Sequence, residues 1–440
     1  MSKQSYNMLE PFEVGGYWWL PDNTEDKTFG ILVYSPSERL RLKLMGVFFK
    51  HTDFHRFETV PIIHGFSLHG EKITLFGSHY AAGHTSIPGH TTAEYVPQNT
   101  FLGWHFDSED NARFDEAVLH ISGLEECVGV SCLKDKLEFN DKKDLVGYTL
   151  QYSAPREICF PIGSHQVKVE CGLAISDEGA RGKTVEQNAW LQITYQQQIP
   201  YMDFFRGPVS IIRSLLELSA DCILPLRTVT FFSPAHLNAY GDGETYRAAM
   251  RLIWDQHMQI SGCPTKRSHE MMFTLASLDA RLAGVVAKWE AFQKKHESTT
   301  QTFSTLLRIR NEIPWEHHFL SLVYALESYH RREYPVSGRV KLCERIAQLW
   351  SAVPEQLRTL LGNREEFAST VSDTRNFYAH QDDALKGRAL SGRNLYLGIV
   401  RLEILIRGII LKSLDFEDAE ILGMILRLRY PEQVSNLLRQ

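Results

Sequence analysis

Arg375, Asn376 and His380 stand together in the stretch Arg375-Asn376-Phe377-Tyr378-Ala379-His380. Arginine presents a planar fork of donors that fits a phosphate, and it stays charged. Histidine gives or takes a proton near neutrality. Together they hold a phosphodiester and move a proton on or off a ribose 2′-hydroxyl. That is enough chemistry to cut RNA without a metal. The bare spacing is not selective. With 29 arginines and 18 histidines in 440 residues, about one Arg-x4-His is expected by chance, and it occurs once.

The surroundings of the motif add to it. Phe367, Val371, Thr374 and Tyr378 repeat along one face, which predicts a helix running into His380. A polar loop from Gln381 to Gly392 follows. Its Lys386 and Arg388, with Arg393 just beyond, form a basic group able to steer a phosphate backbone; a solvated loop is the plainer account. Tyr378 is a candidate for stacking an unpaired base. Five helical residues separate Arg375 and His380 by about 7.5 Å and 140°, so one motif is not expected to clamp a phosphate from both sides. The alternative is an ordinary surface helix end. There His380 would meet the C-terminal dipole and Arg375 would pair with a carboxylate such as Asp373.

The elements that must position these residues change character along the chain. Up to about residue 235 the sequence reads as strands. Arg39-Leu40-Arg41-Leu42-Lys43-Leu44 alternates strictly, as a sheet with one wet face requires. Similar runs, divided by turn residues, predict an antiparallel β-sandwich-like region, with room for two consecutive sandwiches. One helix after Pro208 interrupts them. Trp18 and Trp19 fall on opposite strand faces, so at least one belongs to a core. From 236 to 300 the chain reads as a helical linker. Leu275, Leu278, Leu282, Val285, Trp289 and Phe292 predict one long helix over 268–295, and the polar run 293–300 marks a boundary. Residues 301–440 read as an all-α bundle, with helices at 315–332, 339–351, 355–361, 364–380, 393–414 and 417–429. The fold class is therefore α+β and multidomain.

Composition excludes several functions. The net charge of −6 argues against a broad nucleic-acid surface. Residues 301–440 hold 19 Lys and Arg against 17 Asp and Glu, so the acidic excess lies upstream of the motif. The start has no signal-peptide pattern, and the seven cysteines are irregularly spaced, which reads as reduced thiols in a cytoplasmic protein. The apolar stretch 395–414 carries Arg401, Glu403, Arg407 and Lys412, too many charges for a membrane span. No cofactor motif is present. His79, His84 and His90 match no metal spacing and read as a polar loop, and Cys127-x4-Cys132 lacks the second pair of a zinc finger.

Residues 315–429 resemble a HEPN domain, whose signature is Arg, commonly followed by Asn, with His four to six residues later. The helix Phe319–Glu327 resembles the early HEPN helix that carries an acidic residue. Gly15-Gly16-Tyr17-Trp18-Trp19-Leu20-Pro21-Asp22, Gly30–Tyr34, Arg39–Phe48 and Thr184-Val185-Glu186-Gln187 resemble the N-terminal domain of ApeA-type proteins. These fuse that domain to a C-terminal HEPN domain and act in bacterial anti-phage abortive infection.

The resemblance implies a metal-independent endoribonuclease. His380 would serve as general base or acid, Arg375 would stabilise the phosphoryl charge, and Asn376 would orient His380 or the phosphate by hydrogen bonding. Glu327 would orient the motif from a neighbouring helix; from the residues alone it makes a surface pair with Arg331. The implied substrates are single-stranded RNA loops, tRNA anticodon loops among them. The implied partners are a second copy through the HEPN domain and a phage-encoded trigger, a protein, sensed by the N-terminal domain. Two other functions fit the residues: a catalytically inert HEPN dimerisation or binding module, and a ligand-binding β-sandwich with a helical oligomerisation tail.

Overall fold

The computed structural model describes residues 6–48, 59–86, 88–177, 179, 182–239, 243–255, 266–335 and 338–428. Cys263 and the chain after Leu428 lie outside them. The chain forms two compact units. One comprises residues 1–125, 131–209 and 224–263, the other 126–130, 210–223 and 264–440.

The first unit holds strands β1 (Phe12–Trp19), β2 (Thr28–Ser35), β3 (Glu38–Leu44), β4 (Val60–Ser67), β5 (Lys72–Thr85), β6 (Thr91–Val96), β7 (Asn99–Leu102) and β8 (Arg113–Ile121). After them come β9 (Leu133–Phe139), β10 (Leu145–Tyr152), β11 (Ile158–Ile162), β12 (His165–Asp177), β13 (Lys183–Pro200), β14 (Leu226–Phe232), β15 (Leu237–Ala239), β16 (Thr245–Arg247) and β17 (Met250–Trp254). Thirteen of these make one continuous sheet in the order β11-β12-β13-β8-β14-β17-β7-β5-β4-β1-β2-β3-β6, all of whose pairings are antiparallel. The sheet closes on itself because β6 also pairs with β5.

The result is a six-stranded barrel at one end of the sheet rather than two separate sandwiches. A long β5 makes this possible: its Ile73–Phe76 pair with β7 and its His79–Thr85 with β6. The alternation in β3 is realised, with Leu40, Leu42 and Leu44 buried. Tight curvature requires glycine where backbones approach. A Cβ on Gly16 would sit 2.2 Å from the Phe66 carbonyl oxygen, and one on Gly65 would sit 2.4 Å from the Trp18 ring. Trp18 fills that space fully buried, its indole N–H donating to the Gly30 carbonyl at 3.2 Å. Trp19 is buried as well, under the rings of Phe66 and His105. The region read as a histidine loop is strand: His79 and His84 lie on β5, where His79 bonds Thr59 and Gln98 and His84 bonds Ser86.

Helices are α1 (Leu124–Val128), α2 (Tyr201–Phe204), α3 (Ser210–Ala220), α4 (Leu275–Leu278), α5 (Leu282–Lys295), α6 (Glu297–Ile309) and α7 (Trp315–Glu333). Then follow α8 (Leu342–Ala352), α9 (Glu355–Leu361), α10 (Arg364–His380), α11 (Gly392–Ser413) and α12 (Asp418–Leu426). The single helix expected over 268–295 is broken. Thr274 accepts a hydrogen bond from the Ser277 N–H and starts α4, and Asp279 then takes a left-handed conformation, φ 41°. Leu275, Leu278, Leu282, Val285, Trp289 and Phe292, whose spacing predicts that helix, are nonetheless all buried. The polar stretch read as a boundary begins α6, whose Thr299 and Thr300 are buried; Thr299 donates to the Ala325 carbonyl of α7.

α11 is the centre of the helical unit. Leu395, Ile399, Leu402, Ile406, Ile409 and Ile410 are all at most 4% exposed, so they form the chain's own core and offer no partner face. Burying that much side chain contributes about 1.5–3 kcal/mol per residue. The helix also buries charge. Arg407 pairs with Asp221, which Arg310 grips at 3.1 and 3.2 Å and Lys266 approaches at 3.9 Å. Glu403 lies 3.6 Å from Arg407 and 3.4 Å from His318. Burial pushes the Lys266 ammonium pKa down, and Asp221 opposes the shift.

Candidate active site

Asn363 starts α10 by accepting from the Glu365 and Glu366 N–H groups, the expected work of an asparagine N-cap. Phe367, Val371 and Thr374 anchor the helix in the bundle. It ends at His380, with Gln381 in the left-handed conformation, φ 52°. The motif therefore occupies the last turn and a half of a well-packed helix.

The structure brings the three motif residues together. Arg375 Nη1 donates to Asn376 Oδ1 at 3.0 Å and to His380 Nε2 at 3.2 Å. The length of the arginine side chain spans the angular separation that the helix imposes on the backbone, so the two groups meet within one copy. Arginine only donates. His380 Nε2 is thus the acceptor, and its ring carries its proton on Nδ1. His380 is exposed and Arg375 half-buried. Both Nη1 hydrogens of Arg375 serve the motif, while Nη2 and Nε have no protein partner among the described residues. A phosphate oxygen fits those donors, beside a His380 Nε2 whose one lone pair accepts from Arg375 Nη1.

Other expected residues are dispersed. Glu327 gives its carboxylate to Arg331 at 2.6 Å, the local pair, and does not reach the motif. Tyr378 lies on the motif's own helix, and its hydroxyl donates to the Leu390 carbonyl at 2.9 Å. Burial, with Glu316 nearby, pushes the phenol pKa up. Lys386, Arg388 and Arg393 are all exposed around the following loop, and Arg388 lies 3.5 Å from Asp373.

Sequence reasoning missed the clamp that sets this loop. Buried Thr374 accepts from the Leu390 N–H at 3.0 Å while Tyr378 holds the Leu390 carbonyl. Their spacing of four residues, one helical turn, was the available signal. It also missed His330, fully buried, which accepts from Arg345 at 2.9 Å and bonds Gln348 at 2.8 Å. Among the described residues no group of three His, Cys, Asp or Glu side chains is arranged to hold a metal ion. No described helix is long and apolar enough to cross a membrane.

A helical bundle carrying Arg-Asn-x3-His on the end of an internal helix has the form of a HEPN domain, and the Apea-like HEPN family model matches residues 320–420. HEPN domains are generally ribonucleases, and they commonly bind RNA and dimerise. The model of ApeA N-terminal domain 1 matches residues 13–289. The chain belongs to the ApeA family, with the ApeA-type order of a β-rich domain followed by HEPN. Comparison with curated proteins and with solved structures gives no match.

Proposed function

We propose that this protein is a metal-independent endoribonuclease of anti-phage abortive infection, with Arg375, Asn376 and His380 as its site. The observation that carries this reading is the meeting of Arg375, whose Nη2 and Nε have no partner among the described residues, with the exposed His380 at the end of one helix. As the phosphate draws Arg375 Nη1 away, His380 Nε2 takes the proton of a ribose 2′-hydroxyl. The 2′-oxygen attacks the adjacent phosphorus and the bond to the 5′-oxygen breaks. A 2′,3′-cyclic phosphate and a 5′-hydroxyl result. The leaving oxygen needs a proton from a general acid. A second copy's His380 supplies it, which is the reason for a homodimer through the HEPN domain. Arg375 stabilises the charge that develops on the phosphoryl oxygens, and Asn376 holds Arg375 in place.

The substrate class is single-stranded RNA in loops, tRNA anticodon loops among them, because unpaired bases are free to be splayed out and stacked on aromatic side chains. Lys386, Arg388 and Arg393 guide the backbone. The β-rich domain senses a phage-encoded protein and releases the activity.

RNA ends sequenced from infected cells test this directly. Wild type yields new 2′,3′-cyclic phosphate ends and His380→Ala yields none. Wild type activated by extract of infected cells cuts at the same rate with and without EDTA. New ends in the His380→Ala cells, or activity lost in chelator and restored by Mg²⁺ or Mn²⁺, rules the mechanism out.

A further inference from the structure

Three helices converge on Leu390. Its backbone is held by Thr374 and Tyr378 of α10. Its side chain lies against Gly398 of α11, where a Cβ would come within 2.6 Å of Leu390 Cδ1 and 3.7 Å of Phe319 in α7. The start of α7 is therefore at the same end of the bundle as the motif, and Glu316 is close enough to act electrostatically on Tyr378.

At that end, Trp315 opens α7 and Tyr396 lies in the first turns of α11. Their rings sit 5.4 Å apart at 40°. Trp315 is 47% exposed, so its ring presents a face that a stacking partner can cover. The exposed Arg393 precedes Tyr396 by three residues on the same helix, one turn away.

We infer that Trp315, supported by Tyr396, is the platform on which an unpaired nucleobase of the RNA stacks beside the Arg375–His380 site. The inference rests on the ribonuclease reading and adds to it the residue that selects single-stranded over paired RNA. A base offers a π-face to an aromatic ring whatever its identity, so such a platform is tolerant of sequence and intolerant of pairing. The carboxylate of Glu316 next to it disfavours a phosphate there, which leaves the ring system of the nucleotide as the occupant. Tyr378, whose hydroxyl is tied to Leu390, acts instead as a positioning residue for the loop.

The test uses the full chain carrying His380→Ala, so that RNA survives, and a fluorescein-labelled single-stranded adenine decamer as probe. Anisotropy gives the affinity of this parent and of the same chain with Trp315→Ala or Trp315→Phe. Trp315→Ala should weaken binding by about 5- to 150-fold, the range for one stacked base, and Trp315→Phe should restore most of it. Decamers with one abasic position scanned along the chain should bind the parent more weakly at one position, and that penalty should vanish in Trp315→Ala. Equal affinity of parent and Trp315→Ala overturns the platform, as does an abasic penalty that persists in Trp315→Ala. If wild type cuts RNA while either of these occurs, the platform fails and the ribonuclease reading stands. If wild type leaves no cyclic-phosphate RNA ends in infected cells, both fail.

Discussion

Two clusters of the helical unit use the same residue types in opposite ways. Around Asp221, two arginines and a lysine close on a carboxylate that is 4% exposed. At the end of α10, one arginine, one asparagine and one histidine meet in the open. In the first, the carboxylate meets its cations within the protein and is shut away from water. In the second, the arginine keeps donors for something the chain does not supply. A buried, mutually satisfied ion cluster holds elements together, and an exposed, half-satisfied one waits for a ligand. The histidines repeat the contrast: His330 has both ring nitrogens engaged in the core, while His380 stands in solvent.

The largest effect separates the clusters by activity. Arg375→Ala and His380→Ala should each lower RNA cleavage by about 10²- to 10⁴-fold, as loss of a positioned acid–base or oxyanion group does, with an unchanged melting temperature. Mixing wild type with excess Arg375→Ala/His380→Ala protein should also lower its rate, because mixed pairs carry an incomplete site. A variant that melts like wild type and cuts at the wild-type rate would end the assignment.

Asp221→Ala should do the converse. It leaves Arg407 and Lys266 buried, and Arg310 half-buried, without that carboxylate, which costs about 3–5 kcal/mol, read as a lower urea midpoint of the full chain. Protein that remains folded should cut RNA at close to the wild-type rate. An unshifted midpoint would make the cluster ornamental.

Acid should act through the buried histidines next. Burial, which outweighs the Gly65 carbonyl bond, pushes His105 down to about 4, and burial with Arg345 alongside pushes His330 down. The unfolded chain takes up those protons near pH 6.5, so it binds more protons than the folded chain below that pH. Stability is full above about pH 6.5 and is lost as pH falls toward 4. Melting temperatures across that window should drop for wild type and drop less for His105→Gln. An equal drop in both would show that His105 does not carry the effect.

The smallest effect concerns the exposed pair. Arg388→Ala should change stability by less than about 1 kcal/mol, as for surface ion pairs. It should raise the KM for RNA by a few-fold and flatten its salt dependence. A large stability loss would mean that the loop is built on this pair.

What was legible in the sequence follows from which patterns have a single physical cause. The bundle helices were readable to within a few residues, because helix starts such as Pro314 and Pro354 and a run like Leu395–Ile410 admit one periodicity. α6 was hidden because its buried face uses Thr299 and Thr300, polar by composition but bonded to carbonyls of α7 and of its own first turn. The barrel was hidden because closure depends on which strands pair. Strand alternation reports faces and not partners. The motif itself was visible, but the meeting of Arg375 with His380 depends on side-chain reach, and helical spacing alone pointed the other way.

One feature of the sheet bears on the protein's life in a crowded cell. Since β6 pairs back onto β5, the main sheet's strand order ends at a single outer strand, β11. That strand has five residues, and its fourth is Pro161, which has no N–H to offer a newcomer. A long open edge invites foreign strands to add on and seeds aggregates. Here barrel closure removes one end of the main sheet and proline blunts the strand at the other, which limits the ways a foreign strand can extend it.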